Sequence, residues 1–486
     1  MSKIVEQIER LVKNEYFLIS LILLSAFLVR LYRINNPIAD WHSWRQADTA
    51  SVTKIYLEEG IKLLYPRYHD ISSIQTGIFN KEGFRFVEFP IYNAVHTIFV
   101  KAYPKLSLEI WGRAVSILSA LFSTYFLFLI GRKFMGKWGG LLSAFFYAYL
   151  PYNIYFTRVI LPEPMTVAFG LLSLWLFIKF LDNDKTWLLY SSSLMFSCAM
   201  LVKPFSFFYA IPIIYLAINK YGLKKLLTDW RFFIAIDIAL VPFFLWRVWI
   251  NKFPAGIPFW EWAFNGDKIR FRPAFWRWLF GERLGYLILG IWGVFPFSLG
   301  LLKSFRSRLF IHFFILGMFL YVVTLATANV RHDYYQIIAV PAIALVLAQG
   351  TLAFWESKQF KSWLAKLFFL FVIAMMFLVS AIQVREFYKV NHPEIISAGK
   401  ALDRIAAKDA WVIAPYNGDT AFLYQTGRRG WPAIDDSIDR IIEKGADYYI
   451  SVNLKDPDTT NLKVRFKTVV ETNEYVIIDL HQLKEK

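Results

Sequence analysis

The chain has 486 residues, a formal net charge of +17, and 57% hydrophobic residues, among them 47 Phe, 26 Tyr and 18 Trp. A soluble domain carries about 45–50% apolar residues, so this composition and its long apolar runs exclude an ordinary soluble enzyme and indicate a polytopic membrane protein. The single cysteine, Cys198, excludes an intramolecular disulfide and a thiolate metal cluster.

Residues 1–16 are polar and mixed in charge. A first span is expected from about Tyr16 to Tyr32; it has no small-residue cleavage site and reads as a retained anchor. A long polar loop, 34–108, follows, and loops of that length carry function or structure of their own. It opens on Asp40-Trp41-His42-Ser43-Trp44-Arg45-Gln46-Ala47-Asp48-Thr49-Ala50, which crowds two carboxylates, Arg, Gln, His and two Trp into eleven residues. From Asp48 to Glu59 the apolar Val52, Ile55 and Tyr56 share one helical face, and Gly60 is a natural stop. From Pro90 to Pro104, Ile91, Val95, Ile98, Phe99 and Ala102 form an apolar stripe opposite Asn93, Thr97 and Lys101. That segment is too short to span and reads as an amphipathic helix lying in the membrane interface.

Further spans are expected at 112–131, 138–156, 163–181, 186–202, 204–218, 231–250, 285–302, 308–328, 335–355 and 363–384, about eleven in all with the first. Short basic loops set the orientation: Arg132, Lys133 and Lys137; Lys220, Lys224, Lys225 and Arg231; Lys303, Arg306 and Arg308; Lys358, Lys361 and Lys366. All four fall on one side, the cytoplasm by the positive-inside rule, so the first loop and the C-terminal tail fall outside it. Arg30 and Arg33 at the outer end of the first span run against this assignment. So does the outer loop 251–284, with Lys252, Lys268, Arg270, Arg272, Arg277 and Arg283; an anionic phosphate ligand would account for its charge. The net positive charge is thus explained by loops, and no basic–aromatic nucleic-acid module stands out. Domains are expected at 1–384, transmembrane, and 385–486, a soluble α/β domain. In the latter Trp411–Pro415, Tyr448–Val452, Phe466–Glu471 and Tyr475–Leu480 read as strands, and Ile395–Ala407 and Ile438–Lys444 as helices.

Transfer of a group from a phosphate to a hydroxyl needs a base for the accepting group's proton and positive charge for the leaving phosphate. Asp48 or Asp40 suits the base and Arg45 a bidentate phosphate grip; the bland alternative, Asp48 as a cap for a helix beginning near Thr49, is outweighed by the crowding of these groups at a membrane surface. Glu88, in Val87-Glu88-Phe89-Pro90, suits a metal or a sugar, or simply the N-terminal dipole of the following helix. Glu163 lies between Pro162 and Pro164 at the outer start of a span. Lys203 lies between two apolar runs, where a charge either snorkels or faces a cavity. Arg331-His332-Asp333-Tyr334-Tyr335 joins two spans on the outer side and suits an anionic headgroup.

Taken in order, Trp44-Arg45-Gln46-Ala47-Asp48-Thr49-Ala50, Leu64-Tyr65-Pro66, Glu88-Phe89-Pro90, Arg113, Tyr155-Phe156-Thr157-Arg158 with Pro162-Glu163, Leu201-Val202-Lys203-Pro204, and His332-Asp333-Tyr334-Tyr335 ahead of Pro341 resemble the GT-C glycosyltransferases. Within these the resemblance is to the protein O-mannosyltransferase and lipid A aminoarabinose transferase group (glycosyltransferase family 39-like), over about residues 17–350. It implies a polytopic all-α membrane protein with an extracytoplasmic C-terminal α/β domain. It further implies transfer of a sugar from a polyprenyl-phosphate carrier (undecaprenyl or dolichyl phosphate) to an acceptor outside the cytoplasm, in the cell membrane. The acceptor and the sugar stay open. By position Asp48 corresponds best to the family's catalytic carboxylate, with Asp40 as rival. Arg45, Lys203, Arg270, Arg272, Arg331, Tyr334 and Tyr335 would hold the donor phosphate, and His42, Gln46, Glu88, Glu163, His332 and Asp333 the sugar or acceptor. Many relatives carry adjacent acids at the catalytic position, where this chain has Arg45-Gln46-Ala47-Asp48; a divalent metal stays open, with no clear ligand motif. A transporter or lipid-linked sugar flippase is the rival reading, but it would more often show two matching halves. A non-catalytic assembly subunit would explain the tail and not the first loop.

Overall fold

The computed structural model describes residues 14–303 and 309–484; Arg306 and Arg308 of the third basic loop lie outside the described residues. The chain packs as two compact units, one of Met1–Ile34, Ala114–Trp246 and Trp260–Glu386, the other of Asn35–Arg113, Arg247–Phe259 and Phe387–Lys486. The composition change near residue 384 thus marks where the chain leaves the helical unit. The long first loop belongs to the same unit as the C-terminal residues.

The first unit is helical. Among the described residues, five helices are long and apolar enough to cross a membrane: Leu108–Tyr149, Glu163–Asn183, Trp230–Ile250, Asp333–Glu356 and Trp363–Tyr388; Thr186–Val202 and Leu309–Thr324 are apolar but shorter. The most apolar stretch of Asp333–Glu356 is 94% buried and forms the centre of the unit, whereas that of Trp230–Ile250 is 17% buried. A helix that leaves Phe233, Ile236, Phe244, Leu245 and Val248 exposed is built for lipid, because water would not tolerate so large an apolar face.

Several expected spans are irregular here. The runs 112–131 and 138–156 fall largely within Leu108–Tyr149, which reverses at Gly136, where φ is 75°. Glycine takes that conformation without strain. Gly140 then packs so closely on the preceding helix that a Cβ would lie 2.6 Å from the Phe128 carbonyl oxygen. The run 204–218 begins as a 3₁₀ turn, Pro204–Tyr209. The run 285–302 is divided between a π-helix, Arg277–Ile288, and a short helix, Val294–Leu302.

Two of the basic turns meet at one end of this unit. Lys133 pairs with Asp182 (2.7 Å), Arg132 with Glu15 (2.6 Å) and Arg231 with Asp184 (3.3 Å). Arg30, which runs against the orientation rule, is fully buried; it donates to Thr157 Oγ1 and to the carbonyls of Ala26 and Ala148. It is a packing residue and not a loop charge.

The second unit carries a five-stranded sheet of order β2-β1-β3-β5-β4. The strands are β1 (Trp411–Ile413), β2 (Arg429–Trp431), β3 (Ala446–Ser451), β4 (Phe466–Glu471) and β5 (Val476–Leu483). The β1 strand is parallel to both β2 and β3, while β5 is antiparallel to β3 and β4. The first loop completes this sheet. Gly430 N donates to the His69 carbonyl and Ile71 N to the Gly430 carbonyl, each at 3.0 Å, so residues 69–71 cover the open edge of β2. Gly430 is needed there, since a Cβ would lie 1.8 Å from the Val412 oxygen. Ile71 joins Ile413, Trp431, Tyr449 and Ile478 in the core, and Phe79 stacks on Trp431.

The helix Ile91–Ala102 forms as expected, but its orientation is inverted relative to a soluble helix. Its polar residues Asn93, His96 and Thr97 are buried, while Ile98 of the apolar stripe is 58% exposed. The buried side is a closed chain of hydrogen bonds. Asn93 Nδ2 donates to the Thr49 carbonyl (2.7 Å) and to Thr53 Oγ1 (3.1 Å). Thr53 Oγ1 lies 3.0 Å from His96 Nδ1, and His96 Nε2 lies 2.7 Å from the Leu108 carbonyl. A carbonyl only accepts, so Nε2 carries the proton and Nδ1 accepts from Thr53. Burial pushes the His96 pKa down to about 4. The unfolded chain therefore binds the proton first. The His96 contribution to stability is complete above about pH 6.5 and falls as the pH drops toward 4. Stability should fall by roughly 2 kcal/mol more between pH 7 and pH 5 in the wild type than in His96→Gln, read from denaturation midpoints; equal slopes would contradict this.

Candidate active site

In the second unit the helix Ser43–Glu59 runs through the motif-bearing stretch. It starts at Ser43, so Asp48 is an interior residue and not a cap; the helix is preceded by His42 in the left-handed conformation (φ 55°). Residues Arg45 to Thr53 are all buried, which makes this a helix sheltered on every side rather than an amphipathic one.

Asp48 and Arg45 do not act as a pair. Arg45 forms an ion pair with Glu88. Asp48 Oδ2 is 2.6 Å from Arg85 Nη2, and its Oδ1 accepts from Thr420 Oγ1 at 2.7 Å. Arg85 in turn donates to Gln75 and lies 4.9 Å from the Tyr68 ring centroid. Burial opposes the Arg85 charge most, yet Asp48, Tyr68 and Glu88 together outweigh it and raise the Arg85 pKa. Asp48 is thus enclosed by two partners at 1% exposure. Asp40 sits one turn before the helix at 4% exposure, and its Oδ1 accepts from Gln46 Nε2 at 2.6 Å. Two more carboxyl groups belong to this unit. Burial pushes Asp70 up to about 6, against hydrogen bonds from Ser72. Burial, with the neighbouring Asp48 charge, also pushes Asp419 up to about 6.

In the first unit, the helices Glu163–Asn183 and Thr186–Val202 bring Glu163 and Lys203 together at one end. The two form a buried ion pair at 2.9 Å. Lys203 Nζ lies 5.3 Å from the Tyr335 ring centroid and 5.4 Å from that of Phe205, close enough for cation–π attraction. The 3₁₀ segment Asp333–Ala339 supplies Tyr335 and leads into Val340–Glu356. Asp333 lies 3.5 Å from Arg283, while its carbonyl accepts from Tyr152. The rings of His332, Tyr334 and Tyr335 pack on one another, with Trp262 edge-on to His332.

The remaining basic candidates are placed differently. Arg270 donates to the Thr324 carbonyl at 2.9 Å and so anchors its loop. Arg272 is exposed at the start of a short helix. Arg331 makes an exposed pair with Asp267 at 3.3 Å. Among the described residues, no three His, Cys, Asp or Glu side chains converge in a way that could hold a metal ion.

Residues 95–249 match the family model described as dolichyl-phosphate-mannose-protein mannosyltransferase. No curated protein sequence shows significant similarity to the chain. Among solved structures, the apo crystal structure of ArnT from Cupriavidus metallidurans superposes with a TM-score of 0.66 at 12% identity, over 94% of this chain and 97% of that one. The same protein bound to undecaprenyl phosphate gives 0.62 at 11% identity with the same coverage. The Archaeoglobus fulgidus oligosaccharyltransferase gives 0.56 at 11%, over 89% of this chain and 68% of that one. The chain has the GT-C glycosyltransferase fold.

Within this GT-C chain, sequence reasoning overlooked Arg85, Thr420, Asp419 and Asp70. Arg85 had a visible signal, a lone charge between Phe84 and Phe86 at the start of a helix-bearing segment. Arg283 was counted only as part of a basic loop. Thr420 and Asp419 sit in Asn417-Gly418-Asp419-Thr420, a string of turn and cap residues; Asp419 does cap the helix Thr420–Thr426, accepting from Ala421 N at 2.7 Å.

Proposed function

We propose that the chain is an integral-membrane glycosyltransferase that moves a sugar from a polyprenyl-phosphate carrier to an acceptor outside the cytoplasm. On this reading about eleven segments cross the bilayer, and the first loop and the sheet-bearing C-terminal residues are extracytoplasmic. The observation that carries it is the near full-length likeness in fold to a protein holding undecaprenyl phosphate. Buried charge at one end of the apolar helices agrees with it, because Glu163, Lys203 and Asp333 have no packing purpose among spanning helices.

In the reaction, the acceptor hydroxyl oxygen forms the new bond to the anomeric carbon while the sugar–phosphate bond breaks. Asp40 takes the acceptor proton, with Gln46 fixing its carboxylate. Asp48 is the poorer base, because Arg85 and Thr420 occupy its two oxygens. Lys203, backed by Glu163 and Tyr335, stabilises the charge that develops on the leaving polyprenyl phosphate. His332, Asp333 and Tyr334 line the approach for the sugar. Arg272 and Arg331, on the surface, steer the anionic donor, and Arg270 holds the loop that carries Arg272.

The phosphate role is tested by neutralising both Glu163 and Lys203, so that no buried charge is left unpaired. Glu163→Gln with Lys203→Gln should weaken binding of radiolabelled undecaprenyl phosphate by at least about tenfold; unchanged affinity would remove Lys203 from the donor site. Sidedness is tested with single cysteines in a Cys198→Ser background. Lys81 and Asn473 are exposed in the second unit, and Lys81→Cys and Asn473→Cys should both react with an impermeant maleimide in intact cells. Reaction only after permeabilisation would reverse the orientation.

A further inference from the structure

The helix Trp230–Ile250 has 21 residues, about 31 Å at 1.5 Å per residue, which matches the hydrocarbon thickness of a bilayer. Trp230 at its start is exposed, as befits a residue at the membrane interface. One face packs on the rest of the first unit through Phe232, Ala235 and Trp246, with Phe232 edge-on to Phe180 and Tyr221. Asp237 lies on the other face. It is about 200° round the helix from Ala235 and exposed. It also lies about 10 Å inside the end that Trp230 marks.

A carboxylate at that depth is costly in hydrocarbon. The short side chain of aspartate cannot carry its charge back to the interface as lysine or arginine does. Its own helix supplies no cation, because the neighbours one turn away are Phe233, Ile234, Leu240 and Val241. Arg231, earlier on the helix, is engaged by Asp229 at 2.8 Å and by Asp184 at 3.3 Å. Among the described residues, Asp237 takes part in no hydrogen bond or ion pair. Around it, Trp230, Ile234, Val241 and Phe244 are exposed with it, at alternating spacings of four and three. That is the spacing by which one helix seats another in left-handed packing, and a single polar position in such a seam fixes its register. A second copy of the chain does not suit this seam. Copies inserted in one orientation and packed through this face about a two-fold axis would set Asp237 against Asp237, like charge against like. The face calls for the opposite charge at the same depth.

We propose that this face docks a transmembrane helix of another membrane protein, one that carries a lysine or arginine about two turns in from the side of the basic turns and pairs it with Asp237. The probe is a synthetic leucine–alanine helix of about 23 residues with a single lysine about two turns from one end. Its controls have leucine in place of that lysine, or the lysine at the centre. The full chain would be reconstituted in liposomes with a donor fluorophore on Leu227→Cys, an exposed position, in a Cys198→Ser background, and the peptides would carry the acceptor. The expected result is association of the end-lysine peptide at least about fivefold stronger than that of either control. Asp237→Leu should remove the difference and Asp237→Glu should keep it, which separates charge from fit. Sugar transfer at saturating donor should be unchanged in Asp237→Leu, because Asp237 is no part of the proposed donor site. Equal association of the three peptides would overturn the proposal. So would energy transfer between differently labelled copies of the chain that is lost in Asp237→Leu, since a second copy would then be the occupant.

Discussion

Asp40→Asn should lower sugar transfer by at least about a hundredfold while leaving the protein folded. Asparagine keeps the size of the side chain and can still accept from Gln46 through its amide oxygen, so the Asp40–Gln46 contact survives. What disappears is the capacity to take a proton. Donor binding should hold within about twofold, because the lost interaction belongs to the transition state and not to the ground state. Gln46→Ala should act in the same direction and more weakly, by loosening the carboxylate. Near-normal turnover of Asp40→Asn would show that another group is the base.

Asp48→Asn should behave differently, with its main loss in stability. It leaves Arg85 buried beside a neutral group, and breaking a buried ion pair costs about 3–5 kcal/mol. The Thr420 hydroxyl can still donate to the amide oxygen, which places the expected loss toward the lower end of that range. Asp48→Asn combined with Arg85→Gln should recover part of it, since no unpaired charge then remains. Urea or thermal midpoints in detergent would measure both. A protein of unchanged midpoint that has lost turnover would make Asp48 the base instead.

This contrast also shows how the motif-bearing loop hid its structure. The helical pattern of Val52, Ile55 and Tyr56 was visible, but the helix begins five residues before Asp48, at Ser43. Those first residues give no amphipathic signal, because Arg45, Gln46 and Asp48 are buried among polar partners and no solvent face alternates with a core face. The helix Ile91–Ala102 was legible for the opposite reason: Ile91, Ile98 and Ala102 form a continuous stripe, and the structure leaves Ile98 exposed and buries Asn93 and His96. In the C-terminal segment, alternation and the Thr472-Asn473-Glu474 turn reveal β4 and β5, which pair antiparallel. The β2 strand was not legible. It has three residues, Arg429-Gly430-Trp431, and depends on pairing with β1 and with residues 69–71 of a distant loop. The helix Pro457–Arg465 did carry a signal, an Asp456 cap followed by proline, and the structure uses it.

Of the candidate residues, Glu163 and Lys203 were each singled out beside a proline at the end of an apolar run, but not as partners. Their pairing at 2.9 Å follows from two consecutive helices of 21 and 17 residues that return the chain to the same end. The Asp48–Arg85 pair has no comparable signal, because it joins residues 37 positions apart through an irregular loop. Arg270 and Arg331 were read as ligands of the donor phosphate. Arg270 is engaged with backbone and Arg331 with Asp267, contacts that net charge cannot reveal.

The central claim is transfer of the sugar with cleavage of its bond to phosphate. It is tested most directly with the purified full chain in liposomes, supplied with undecaprenyl-phosphate sugars carrying radiolabel in the sugar, and with a cell-envelope fraction as acceptor. The account predicts that label moves from the lipid to the envelope fraction, that unlabelled undecaprenyl phosphate is released in equal amount, and that Asp40→Asn abolishes both. Movement of the intact lipid-linked sugar across the bilayer, with no release of undecaprenyl phosphate, would contradict it and identify a flippase instead.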